Sequence, residues 1–281
     1  MTVQGARNKK YSTSQHREDV YKTNIRQGLR DIFMIDELES TYRRQGILAT
    51  DFTCRHKNQC SAGCDKFNEA KSAFVSSGYA SGAVPRLLFL SLDPGSTDEE
   101  FAPEARLPSQ VRKYEEFTRD FARLNKARHW YRTHQLAWYI LKRFVPGLVI
   151  GEARMYFAHA NSAKCNMGKA QNAKANSILF QNCRSYLPAE LATLRPDVIV
   201  TQGSEAKWAI ESISAVIATL EPKVKVISLE GREILWLHTY HPRYFKGFYA
   251  QMAVRSNIAT GWELLADQVF EFISHQERYA G

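Results

Sequence analysis

The stretch RLLFLSLDPG, at residues 86–95, decides the fold. Its apolar residues lead into Ser91-Leu92-Asp93, and the turn-forming pair Pro94-Gly95 ends the run. A short apolar run closed by turn formers is typical of a buried strand, here expected to be parallel to its neighbours. Ligands of open α/β sheets bind beyond the carboxyl ends of such strands, so Asp93 is a candidate site residue. The alternative is that Asp93 only caps a turn.

Further segments are predicted to be strands separated by helices. The segment ARMYFAHA, at 153–160, leads into Asn161, and DVIVTQGSEA, at 197–206, holds a third strand. Segments 224–228 and 234–240 are expected to pair as a hairpin that ends close to His241. Alternation of strand and helix predicts an α/β fold with a parallel sheet that is covered on both faces.

The amino-terminal part of the chain is predicted to be an extension of the main domain. Residues 1–16 are polar and basic, and apolar positions over 17–45 have roughly helical spacing. We therefore divide the chain into a basic, helical extension at 1–50 and an α/β domain at 51–281. The segment GWELLADQVFEFISHQ is expected to form a helix near the end of the chain.

Composition favours an intracellular protein with an anionic partner. The 281 residues include 38 Lys and Arg against 29 Asp and Glu, a formal charge of +9. The first ten residues lack the apolar segment of a secretory signal. The most apolar long stretch, 137–152, is interrupted by Lys142, Arg143 and Pro146, so we expect no membrane span. A cytoplasmic monomer is the expectation.

Three of the five cysteines lie within a polar segment, DFTCRHKNQCSAGC at 51–64. Small residues between Cys60 and Cys64 predict a tight loop that is suited to holding two thiolates on one metal centre. In a reducing compartment, metal ligation or free thiols are expected rather than disulfides. Incidental buried thiols are the alternative.

Four segments together resemble the uracil-DNA glycosylase superfamily, especially its iron–sulfur branches. They are SLDPG at 91–95, NSAKC at 161–165, VIVTQGSEA at 198–206 and TYHPRY at 239–244. The resemblance extends over roughly residues 54–275 and implies a central four-stranded parallel sheet with helices on both faces. It also implies a 4Fe–4S cluster with four thiolate ligands, Cys60, Cys64, Cys165 and Cys183. The family's first pair is Cys-x-x-Cys, whereas this pair is one residue longer, which leaves Cys54 as a possible substitute.

The resemblance implies a DNA glycosylase that removes uracil or a 5-substituted pyrimidine from single- or double-stranded DNA and leaves an abasic site. Asp93 would stabilise the oxocarbenium-like transition state and orient water, and His241 would donate a hydrogen bond to the departing base. Asn161 would read the edge of the base, with Leu92, Gly95 and Phe101 around it. The predicted DNA contacts are Lys164, Arg243, Tyr244 and Lys246. The alternative for His241 is a turn residue, and the alternative for Asn161 is a helix cap. The alternative for the aromatic loop after His241 is packing on the core.

Two positions depart from the family pattern. Ser91 replaces the usual glycine, and Gly95 stands where strict uracil enzymes have a tyrosine that blocks the 5-position of the base. An open pocket at Gly95 would admit larger bases. Alternative functions are a glycosylase for bulky modified bases in antiviral defence, and a non-catalytic or covalently trapping DNA-binding protein. A metal-dependent nuclease would need clustered acidic ligands, which the predicted strand ends lack.

Overall fold

The computed structural model of the chain describes residues 33–62, 66–94, 102–124, 126, 129–168, 177–242 and 258–280. Its α-helices are α1 at 33–44, α2 Lys57–Ser61, α3 Ser77–Ser81, α4 Pro108–Lys113, α5 His129–Leu141, α6 Ser177–Cys183, α7 Leu187–Leu194, α8 Ser204–Glu211 and α9 Ile258–Ala280. Its strands are β1 Lys66–Asn68, β2 Phe74–Val75, β3 Leu87–Ser91, β4 Phe157–Asn161, β5 Asn166–Gly168, β6 Val198–Gln202, β7 Ala215–Glu221, β8 Val224–Leu229 and β9 Arg232–Thr239. Short 3-10 or π turns lie at Ala49–Asp51, Pro103–Arg106, Tyr114–Thr118, Phe121–Arg123, Ile150–Met155 and Arg184–Tyr186.

The main sheet has seven strands in the described part of the chain, in the order β2-β4-β3-β6-β9-β8-β7. The predicted central four-stranded parallel sheet is therefore part of a larger, mixed sheet. Strands β4, β3, β6 and β9 are parallel, whereas β2 pairs antiparallel with β4 and the β7–β8 hairpin extends the sheet antiparallel beyond β9. Two residues, Phe74 and Val75, suffice to add β2. A separate two-stranded ladder joins β1 and β5.

The predicted hairpin over 224–240 is confirmed, because β8 and β9 pair antiparallel. Its turn residues Glu230 and Gly231 both have positive φ, 51° and 76°. This is the backbone of the two-residue turn whose twist matches that of a hairpin. The strand predicted at 153–160 begins later, at Phe157, because Ile150–Met155 forms a 3-10 helix.

Helices cover both faces of the sheet, as the alternating sequence pattern predicted. Leu88 and Leu90 of β3 belong to a core cluster shared with α1, α3, α6, α7 and α8. Leu87 and Phe89 of the same strand belong to a second cluster shared with α5 and α9. All four side chains are at most 1% exposed, which explains why the strand contains no alternating polar residue.

Helix α1 is part of the first core cluster, through Met34, Ile35, Leu38 and Tyr42. Residues of α1 therefore pack against the α/β domain that was predicted to start at residue 51. The division of the chain at residue 50 stays a prediction. Among the described helices, none combines the length and the apolar character that crossing a bilayer would need.

Candidate active site at the strand ends

The carboxyl ends of the four parallel strands lie side by side. Ser91 of β3 is in register with Asn161 of β4, and Gln202 of β6 is in register with Thr239 of β9. Asp93 follows β3 by two residues, and His241 follows β9 by two residues. Because parallel strands end at one edge of the sheet, the structure brings the segments that carry Asp93, Asn161 and His241 to the same edge.

Hydrogen bonds continue beyond the ends of β3 and β4 and join the two loops. The Ser162 amide donates to the Ser91 carbonyl at 2.9 Å, and the Ala163 amide donates to the Leu92 carbonyl at 2.9 Å. The Ser162 hydroxyl donates to the same Leu92 carbonyl at 2.9 Å. The predicted base-contacting residues Leu92 and Asn161 are therefore neighbours, and Asn161 is only 6% exposed.

Gly203 allows the loop after β6 to pack against the loops after β3 and β9. Its amide donates to the Thr239 carbonyl at 3.0 Å. A Cβ atom at this position would lie 3.0 Å from Leu92 Cδ2 and 3.6 Å from His241 Cβ, and φ is +105°. A larger residue would be strained and would displace Leu92, so glycine sets the spacing between Leu92 and His241.

The Ser91 hydroxyl is the centre of a hydrogen-bonded network. Its Oγ lies 2.7 Å from Gln202 Oε1, 2.8 Å from His159 Nε2 and 3.0 Å from His129 Nε2. A hydroxyl has one proton and two lone pairs, and an amide oxygen accepts only. Ser91 therefore donates to Gln202, and both histidines donate their Nε2–H groups to Ser91.

The histidines in this region are held close together by ring contacts. The ring of His129 packs on that of His241, with centroids 5.3 Å apart, and its other neighbour is His159 at 5.7 Å. Burial, followed by the positive charge that His129 would carry, holds the pKa of His159 well below its usual value. Burial likewise lowers the pKa of His134 to about 3, and its Nδ1–H donates to the Trp130 carbonyl. His159 and His134 are thus neutral at physiological pH.

Lys164 lies inside the protein, with 1% of its surface exposed, and this corrects its predicted position as a surface DNA contact. Its ammonium donates to the Asn161 carbonyl at 2.6 Å and forms an ion pair with the buried carboxylate of Glu190. The Tyr42 hydroxyl donates to the other oxygen of Glu190 and accepts the Ala73 amide at 3.1 Å. A paired internal charge of this kind fixes the backbone of Asn161 and offers no ammonium to a phosphate.

Three of the four predicted cluster ligands, Cys60, Cys165 and Cys183, are buried and belong to one core cluster. Burial and then the neighbouring thiols raise the pKa of Cys165 well above its usual value, and burial raises that of Cys183 to about 11. Polar hydrogens point at two of the sulfurs, from the Lys164 amide to Cys183 at 3.4 Å and from the Asn182 side chain to Cys60 at 3.3 Å. Cys54 lies 3.2 Å from the Tyr186 hydroxyl. Within the described ranges, no three His, Cys, Asp or Glu side chains form a group that could hold a metal ion.

A cavity of about 210 Å³ lies between α4, the Tyr114–Thr118 turn and Lys71. Its lining includes Arg106, Lys113 and Tyr114. Lys71 connects it to the strand ends, because its amide donates to the Lys164 carbonyl at 2.9 Å and its charge contributes to the low pKa of His159.

The remaining predicted site residues lie outside the described residues. They are Gly95, Phe101, Arg243, Tyr244, Lys246 and the cluster candidate Cys64. Conversely, no sequence pattern predicted a site role for His129, His159 or Gln202. His159 lies within β4 and Gln202 ends β6, and a polar side chain in a mainly apolar strand could have marked each as a candidate. That signal does not indicate that Ser91 is their common partner.

The sequence matches the model of a known protein family. The family described as the uracil DNA glycosylase superfamily matches residues 79–258, more than half of the chain. The match includes the ends of β3, β4, β6 and β9 and therefore all of the network around Ser91. No curated protein matches the sequence.

Proposed function

The chain belongs to the uracil-DNA glycosylase superfamily, and on that basis we propose that it is a DNA glycosylase. It would flip a uracil or a 5-substituted pyrimidine out of DNA and hydrolyse its N-glycosidic bond, leaving an abasic site. The observation that carries the proposal is the family match over 79–258, which covers the strand ends that carry Asp93, Asn161 and His241. A repair or a defence role is compatible with this activity.

Asp93 is the proposed stabiliser of the transition state. Breaking the glycosidic bond leaves positive charge on the sugar, in an oxocarbenium-like transition state. A half-buried carboxylate at the end of β3 is suited to oppose that charge and to orient the attacking water. The water oxygen bonds to the sugar carbon as the electron pair of the glycosidic bond leaves with the base. One proton of the water passes to solvent and balances the negative charge of the departing base.

His241 is the proposed donor to the departing base. Negative charge develops on the base carbonyl as the bond breaks, and a positioned N–H stabilises it. Packing of Gly203 and His129 against His241 supports this role, because a donor that is already oriented loses little entropy in the transition state.

Asn161 is the proposed reader of the base edge, with Leu92 beside it. Its amide group offers both donors and an acceptor, and its backbone is held by Lys164. Further base contacts are proposed for Gly95 and Phe101, and DNA contacts for Arg243, Tyr244 and Lys246.

Enlarged pyrimidines are proposed as substrates alongside uracil. Gly95 has no side chain, so it would leave open the space beside the 5-position of a flipped pyrimidine.

A 4Fe–4S cluster is proposed as a structural cofactor because the chain carries enough cysteine thiolates for its four ligands. In the described residues these side chains do not form a group of three metal ligands, and Cys64 lies outside those residues. Cys60, Cys165 and Cys183 come from three separate segments and are buried together, with N–H groups directed at two sulfurs. The fourth ligand would be Cys64 or Cys54. When bound, the cluster would crosslink these segments, and hydrolysis of the glycosidic bond needs no electron transfer.

The experiment is a panel of identical oligonucleotides that carry uracil, hypoxanthine, 5-hydroxymethyl or glucosylated 5-hydroxymethyl bases. Purified protein is incubated with single- and double-stranded forms, and alkali then cleaves any abasic site. Cleavage only after alkali supports a glycosylase. Cleavage without alkali indicates a nuclease, a stable protein–DNA adduct indicates a trapping protein, and an intact panel contradicts the proposal.

A further inference from the structure

Three lysines, Lys207, Lys223 and Lys225, lie together on the surface of the sheet. They line a small cavity of about 30 Å³ with Pro222, Trp236 and His238. Each lysine is partly exposed. None of them belongs to the segments that the proposed glycosylase chemistry uses.

The cluster lies at the same edge of the sheet as the candidate active site. Val224 of β8 pairs with Leu237 of β9, and the His238 amide donates to the Lys223 carbonyl at 2.8 Å. The turn before β8 therefore lies beside the end of β9, and His241 follows that end. Lys207 is in the first turns of α8, which begins directly after Gly203.

The charge of the cluster is mostly uncompensated. Lys207 pairs with Glu211 at 2.7 Å, whereas in the described part of the chain no carboxylate lies within ion-pair distance of Lys223 or Lys225. Burial, followed by the charges of Lys207 and Lys225, lowers the pKa of Lys223. A bound anion would offset the repulsion among the three ammonium groups.

Aromatic rings hold two of the ammonium groups in place. Lys223 Nζ lies 5.3 Å from the centroid of Tyr240, and Lys225 Nζ lies 5.2 Å from that of Trp236. Cation–π contacts of this kind orient a lysine without neutralising it. Burial lowers the pKa of His238 to about 4, so the histidine at the base of the cavity is neutral and adds no charge.

We propose that Lys207, Lys223 and Lys225 bind backbone phosphates of DNA beside the flipped nucleotide. The cavity is far smaller than a pocket for a base, and lysine ammonium groups bind phosphate as point charges without reading sequence. DNA that delivers a base to His241 would pass over this edge, because Tyr240 connects the two sites along the chain. The proposal rests on the proposed function in taking DNA as the ligand.

The test measures DNA binding at several salt concentrations, without cleavage. Fluorescence anisotropy of an unmodified duplex is recorded for wild-type protein and for the triple variant Lys207→Gln/Lys223→Gln/Lys225→Gln. Each lost phosphate contact reduces the slope of log affinity against log salt by about 0.9. We expect the slope of the triple variant to fall by about two to three, with weaker binding at low salt.

Two matched controls separate charge from packing. The triple Lys→Arg variant keeps the three charges and should retain most of the slope. Lys142→Gln removes a lysine that also packs on aromatic rings, Trp138 and Tyr139, about 20 Å along α5 from His129. It should keep the wild-type slope.

An unchanged slope in the triple Gln variant overturns the proposal and would leave an acidic protein partner as the ligand of the cluster. Absence of DNA binding by the wild type also overturns it. If the wild type binds DNA and the triple variant has a reduced slope, the phosphate-binding proposal is supported. If the oligonucleotide panel also remains uncut, that result contradicts only the proposed glycosylase activity.

Discussion

The imidazole of His129 packs against the imidazole of His241 with their ring centroids 5.3 Å apart and their planes inclined by 32°. Because His129 is also hydrogen-bonded to Ser91, the position of His241 depends on a side chain of β3. The orientation of His241, the proposed hydrogen-bond donor to the base, therefore depends on β3, the strand that leads into Asp93.

Replacing Asp93 tests the proposed cation stabiliser. Asp93→Asn keeps the size of the side chain and removes its charge, so single-turnover cleavage should fall by orders of magnitude while DNA binding persists. His241→Ala should lower the rate about 10²–10³-fold, as expected for the loss of one oriented donor. Full activity in either variant would show that the active strand ends have been assigned incorrectly.

Replacing Ser91 tests the buried network. Ser91→Ala removes the common partner of the Gln202 oxygen and two histidine N–H groups. Gln202 keeps the hydrogen bond from Thr133, whereas the His159 N–H loses its acceptor, which costs about 1–3 kcal/mol. We expect a lower denaturant midpoint and a lower cleavage rate. Ser212→Ala, which removes an exposed hydroxyl that donates to the nearby Ala209 carbonyl, is the matched control. Equal stability of the two variants would contradict the network.

Stability should decrease in mild acid because of buried neutral histidines. The folded-state pKa values of His134 and His238 are lowered to about 3 and about 4, and that of His159 is also well below normal. The unfolded chain therefore binds more protons below its histidine pKa of about 6.5, and each such histidine destabilises the fold by up to about 1.4 kcal/mol per pH unit there. Urea unfolding between pH 7.5 and 5 measures this. His134→Gln should make the free energy of unfolding less dependent on pH in this range. An unchanged slope of unfolding free energy against pH would contradict the prediction.

Iron content tests the proposed cluster. Anaerobically purified protein should be brown and contain about four irons per chain, with a broad absorbance in the visible region. Cys165→Ala should lose iron and stability. Cys54→Ser and Cys64→Ser form a matched pair, of which only the variant that removes a ligand should lose iron. Zinc, or the absence of metal, would exclude the cluster.

The size of the excised base is tested at Gly95. Gly95→Tyr should restore a steric block, so we expect excision of 5-substituted bases to fall much more than excision of uracil. The ratio of single-turnover rates for uracil and 5-hydroxymethyluracil measures this. If wild-type protein removes uracil alone, the open-pocket interpretation fails and another residue, such as Phe101, must form the wall.

The sequence predicted the strands better than it predicted the site. The apolar run before Ser91 and the turn after it were sufficient to identify β3, because strand burial depends on local composition. The Ser91 network was not predictable, since its partners His129, His159 and Gln202 are 38, 68 and 111 residues away. Lys164 was predicted to contact DNA, and nothing local in the sequence indicates its pairing with Glu190, which is 26 residues away.

The contact between Tyr42 and Glu190 matters to anyone who shortens this chain for expression. A fragment that starts at residue 79, where the family match begins, would lack α1 and with it the hydroxyl that satisfies Glu190. The carboxylate would still face Lys164 but would lose one buried hydrogen bond, and apolar surface of the first core cluster would become solvent-exposed. Trimming to the family boundaries is therefore expected to yield insoluble or poorly folded material, and fragment design should retain residues from 33 onward.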